Sequence, residues 1–270
     1  SQLNQIINLQ ASSIWSKKKG IKGFISMFSD NFNYSVLQKA NHEDYIPDFY
    51  DNKDIITLLY SIRNNFSFKS KNRIWQIDYL YEENNSKLLL INGFDYKSAR
   101  KNSILLKKKL FKIINLSNIA SYSSSTYNSE FYSWKNYIID SKSDELNFQI
   151  QSGISSSLKL SYKYTIKNNT LGNELADIKE FKLENNQIIF TKGNLQSNLS
   201  FVNIDFNVET ISTVSYEMLD GLKKGKNIIW SLTYNQKLSK IFQLSLNYNG
   251  RTSENNPIIH NGGVQLSANF

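Results

Sequence analysis

Apolar and polar residues alternate one for one along much of the chain. The clearest case is residues 157–167. Leu158, Leu160, Tyr162, Tyr164 and Ile166 fall on one side, and Ser157, Lys159, Ser161, Lys163, Thr165 and Lys167 on the other. A β-strand sends successive side chains to opposite faces, so this spacing predicts a strand with one apolar and one polar face. The same period recurs at 58–69, 75–82, 146–150, 198–208, 228–234 and 242–249. The first forty residues hold three weaker strands, at 3–15, 21–28 and 32–39, with Lys17, Lys18, Lys19 and Gly20 as a tight turn. Further turns are expected at 70–72, at 83–86, in the Ser-rich stretch between strands at 111–122 and 127–139, at Ser152-Gly153 and at 237–240. Residues 170–186 read as a long loop with some strand character, ahead of a strand at 187–192.

The last stretch ends on an aromatic residue. Gly262, Val264, Leu266, Ala268 and Phe270 share one face, opposite Asn261, Gly263, Gln265, Ser267 and Asn269. Terminal residues of a soluble domain fray unless tied down. In a membrane barrel the last strand must be paired, and a terminal aromatic can sit at the bilayer interface. The expected fold is therefore all-β: an antiparallel up-and-down transmembrane β-barrel of about 12–16 strands over residues 1–270, either whole or the C-terminal part of a larger barrel. The competing fold is a soluble β-sandwich, which would have to expose many aromatics or bury many lysines.

Composition changes this picture little. Hydrophobic residues are 40% of the 270 and mean hydropathy is −0.44, values that suit a barrel because only every second strand residue is apolar. No apolar run is long enough for a transmembrane helix. Pro occurs only at Pro47 and Pro257, as expected where nearly every N–H donates to a ladder. Cys is absent, which removes disulfides and thiolate metal sites. No basic, then apolar, leader opens the sequence, so an exported chain of this kind is expected to be mature or a fragment. The net charge of +9 lies largely in short clusters such as Lys107-Lys108-Lys109 and Lys223-Lys224. These read as charged turns and polar strand faces, with anionic lipid or another polyanion as the competing partner, and not as a nucleic-acid footprint.

The last sixty residues carry a more specific pattern: Tyr216-Glu217-Met218-Leu219, Gly221, Gly225 and Asn227, Trp230, then Tyr248, Gly250, Arg251 and His260 ahead of the terminal strand. This pattern resembles the C-terminal β-barrel region of a family of large outer-membrane proteins of unassigned function. The resemblance implies a bacterial outer-membrane location, periplasmic domains ahead of the barrel in a longer protein, and a periplasmic or surface partner. It also implies that Val264, Leu266, Ala268 and Phe270 form an insertion signal read by the barrel-assembly machinery.

Candidate chemistry is sparse. Carboxylates cluster at 40–54 without the regular spacing of a Ca²⁺ loop, and no cofactor or metal motif stands out. Only His42 and His260 could serve as a base for a nucleophile, and His260 reads as a polar residue at the membrane interface. An enzyme is not expected. The expected function is a membrane anchor or scaffold within an envelope assembly or export system. The competing one is a porin-like channel for small, weakly anionic solutes, with Lys159, Lys163 and Lys167 facing the lumen. Whether the barrel is plugged decides between them.

Overall fold

A strand with one apolar face needs neighbours whose apolar faces fall on the same side, and the pairing register supplies them. The computed structural model describes residues 3–15, 25–41, 55–70, 74–111, 113–153, 156–189, 193–209, 212–239, 241–254 and 256–268, apart from 91–92. They form one antiparallel sheet of thirteen strands in which each strand pairs with its neighbours in sequence. The strands are β1 (Leu3–Trp15), β2 (Ile25–Asn41), β3 (Ile55–Ser70), β4 (Trp75–Leu90), β5 (Gly93–Lys109), β6 (Ile114–Ser129), β7 (Tyr137–Ser152), β8 (Ser156–Asn169), β9 (Leu175–Ile189), β10 (Gly193–Phe206), β11 (Gly225–Lys237), β12 (Phe242–Ser253) and β13 (Ile259–Ala268). Between β10 and β11 lies one short helix, α1 (Thr213–Met218). Among the described residues no pairing joins β1 to β13, so the sheet is not closed there.

Register puts the apolar faces together. One cross-strand row from β4 to β11 reads Ile77, Leu106, Asn118, Leu146, Tyr162, Phe181, Phe201, Ile228. Six of its eight members are large, apolar and exposed: Ile77, Leu106, Leu146, Tyr162, Phe181 and Phe201 all keep 42–51% of their surface, while Asn118 and Ile228 are half-buried. The opposite face is polar and more covered, with Asn147, Ser161, Thr165 and Ser200 buried. A soluble sheet does the reverse, hiding its apolar face and wetting the polar one.

The sheet curls toward its polar face, which we call inner. The described part of the segment 207–224, residues 207–209 and 212–224, lies against that face at the end of the sheet where the longer connections gather. Ser212 caps α1, its Oγ accepting from the Ser215 N–H at 3.0 Å. Met218 is fully buried in a cluster with Ile139 of β7, Ile178 of β9 and Ile204 of β10, while the adjacent Glu217 reaches Lys97 of β5. β5 and β10 are five strand spacings apart, about 24 Å on a flat sheet. Two neighbouring residues can serve both only if the sheet wraps around them.

Several expected boundaries shift. Residues 83–86 do not turn the chain but run inside β4, and the Ser-rich stretch 123–126 lies inside β6, whose turn comes at 130–136. The expected loop 170–186 holds most of β9, and 32–39 belongs to a single long β2. Asn and Ser are turn formers in water, but here they also stand within strands on both faces, so composition alone marks both. The expected turn at 17–20 and the carboxylates at 42–54 lie outside the described residues.

Candidate functional site: the inner face and the segment that covers it

Two kinds of surface meet on the inner face. Toward the short-turn end it carries a ladder of opposite charges. Lys159 lies 3.1 Å from Glu184 and 3.9 Å from Glu145, and Lys182 reaches Glu184 at 2.6 Å. Lys163 stands between Glu145 and Glu180 in register, with no ion pair among the described residues. Lys167 is buried and gives its ammonium to Asp220 of the covering segment at 2.7 Å. All three lysines lie on the face that also holds buried Ser161 and Thr165. Two of them are neutralised by carboxylates that alternation within one strand could not reveal.

Toward the other end the inner face is apolar and dry. Val214, Met218 and Leu219 of the segment pack on Ile139, Ile178 and Ile204. Burying each of these side chains stabilises the seated segment by about 1.5–3 kcal/mol. The helix ends in a Schellman motif: Gly221 N–H donates to the Tyr216 carbonyl at 2.9 Å and Asp220 N–H to that of Glu217 at 3.4 Å. Asp220 takes the left-handed position (φ 53°), where glycine is usual. In that conformation its carboxylate meets Lys167.

The residues that carried the resemblance fall into two structural groups. Tyr216 and Gly221 form the helix end just described, and Gly225 (φ 92°) opens β11. Asn227, 2% exposed, ties the exit of the segment together. Its amide donates to the carbonyls of Lys223 (2.7 Å) and Gly225 (3.1 Å), and its Oδ1 accepts from Ser253 (2.6 Å). The second group lies on the outer face. Trp230 covers Gly250, where any Cβ would collide with the indole, and His260 is paired opposite Gly250. Tyr248 and His260 stack and share a hydrogen bond of 2.8 Å. These contacts bind β11, β12 and β13 side by side, a role for aromatics over a strand glycine. Arg251 faces inward beside Lys223 and Ile259, around a cavity of about 170 Å³.

Val264 and Leu266 are 76% and 62% exposed on the outer face, and Ala268 ends β13 on the same side. Phe270 and His42 lie outside the described residues. Among the described residues no group of His, Asp and Glu comes together as a metal site, and no helix is long and apolar enough to cross a membrane. Sequence reading missed the covering segment. Its signal was the change of period at 213–219, where Val214, Met218 and Leu219 follow helical spacing. No family model and no curated protein matches the chain.

Proposed function

We propose that the chain is an integral β-barrel protein of the bacterial outer membrane, acting as an anchor or scaffold within an envelope assembly or export system. One observation carries this reading: six large apolar side chains lie exposed in one outer-face row from β4 to β10, broken only by Asn118 on β6, above an inner face that is polar and covered. A hydrocarbon solvent stabilises such a surface, whereas water does not. Strands of up to 17 residues exceed the roughly 10 needed to cross a bilayer, so they extend beyond it. The outer face turns polar at the helix end, with Asp140 and Lys142 on β7 and Asn203 and Asp205 on β10. At the opposite end Trp75 lies under the Lys108 ammonium (4.7 Å), an arrangement suited to the lipid headgroup level. Outer-membrane barrels keep short turns on the periplasmic side. On that template the 207–224 segment faces the cell exterior and β13 ends in the periplasm, where the assembly machinery would meet Val264, Leu266 and Ala268.

The scaffold reading rests on 207–224 occupying the inner face. A pore for small anions is the second reading, favoured by inward cations that hold no carboxylate among the described residues: Lys101, Lys107, Lys163 and Arg251. The test is conductance of the refolded chain in planar bilayers, with heat-shifted gel mobility as the folding control. A folded, silent barrel is the expected result. Discrete anion-selective steps would replace the scaffold with the pore.

A further inference from the structure

Five residues stand directly opposite one another across the inner face: Glu82 on β4, Lys101 on β5, Ser123 on β6, Ser141 on β7 and Lys167 on β8. All five border one cavity of about 380 Å³, which Glu217 and Asp220 of the covering segment close from the other side. The carboxylates of this site are engaged. Glu82 holds Arg63 at 3.2 Å, Glu217 holds Lys97 at 3.1 Å and Asp220 holds Lys167 at 2.7 Å. What remains is the ammonium of Lys101 and the hydroxyls of Ser123 and Ser141, which have no side-chain partner among the described residues. The Lys101 ammonium only donates, and the two hydroxyls beside it can turn their O–H groups to the same ligand, so the matching ligand is rich in acceptors and negatively charged.

We propose that this row binds a small oxyanion of the phosphate class, free or as a monoester. The inference rests on reading the inner face as the wet interior of a barrel. Lys101 and Lys167 flank the two serines at about 14 Å between backbones, three strand spacings. Phosphate oxygens accept strongly from both ammonium and hydroxyl donors. Asp220 already presents a carboxylate to Lys167, so an incoming oxyanion competes with it for that ammonium. Occupancy of the site and seating of 207–224 are thereby linked, and the linkage is reciprocal.

The test is calorimetric titration of inorganic phosphate into the folded full chain in detergent, with heat-shifted gel mobility run on every variant. Wild type binds one phosphate, and Lys101→Met weakens binding about tenfold, the loss of one charge-assisted contact. Ser123→Ala with Ser141→Ala weakens it several-fold, and Asp220→Asn tightens it by removing the competitor. Absence of binding in both wild type and Asp220→Asn overturns the site, as does a Lys101→Met protein with unchanged affinity. Flotation with lipid vesicles separates this from the barrel reading. A chain that floats but ignores phosphate loses only the site, and one that binds phosphate but does not float keeps the site and loses the barrel.

Discussion

The two ends of β9 and β10 carry opposite patterns. Near the helix, Ala176, Ile178, Val202 and Ile204 point inward and are buried, while Asp177, Lys179, Asn203 and Asp205 are exposed outside. A few residues along the same strands, Glu180, Lys182, Glu184 and Ser200 point inward and Phe181, Leu183, Leu199 and Phe201 outward. The side-chain period continues without a slip, yet the polarity of the two faces exchanges. A sheet face has no polarity of its own; it takes that of whatever covers it. At the helix end the inner face is covered by α1 and the exposed outer face is polar. Farther along, the inner face carries the charge ladder and the outer face presents the apolar row.

The most damaging way to erase this contrast is to place a charge under the helix. Ile204 is 1% exposed, so Ile204→Asp buries an unpaired carboxylate and is expected to cost more than about 4 kcal/mol. The check is whether the variant still shows heat-shifted mobility after refolding. Retention of that shift would mean that the cluster does not organise the fold.

Next comes a charge on the outer row. Leu146→Arg is expected to cost about 2–4 kcal/mol in lipid vesicles, as for a cation at the bilayer midplane. Asp205→Asn, outward at the helix end, should change stability by less than about 0.5 kcal/mol. Urea unfolding in vesicles measures both. Equal costs at the two positions would remove the assignment of the apolar row to lipid.

The smallest effect sharpens the comparison at the junction. Asp220→Asn keeps a residue tolerant of the left-handed conformation and removes the charge that meets Lys167. Because the Asp220 side chain is 68% exposed, the loss is expected to be no more than about 1 kcal/mol. Trypsin cleavage after Lys223 or Lys224 should accelerate a few-fold as the segment loosens. An unchanged rate would show that the apolar cluster alone holds it.

Much of the sheet was legible because its signal is local. The alternation at 157–167 and 242–249 survives in β8 and β12, and the turns expected at 152–153 and 237–240 come where two-residue periods stop. The misread places, 83–86 and 123–126, are rich in Asn and Ser, whose turn preference in water says nothing once a polar strand face can use the same residues. The site was less legible. Lys159 and Lys167 could be assigned to a polar face, but Glu184 and Asp220, which neutralise them, lie on other elements. Trp230 and Gly250 stood out as a pattern whose reason, one ring over one missing Cβ, exists only across a strand pair.

Sequence by itself determined the secondary structure class and the apolar side of uniformly alternating strands such as β8 and β12, because side-chain period is a property of consecutive residues. Tertiary structure decided the rest: which strands share a row, where the faces exchange polarity, and which lysines keep an unbalanced charge. Those depend on register and on a helix folded back over strands far from it in sequence, where pairings such as Lys97 with Glu217 are set by the curl of the sheet.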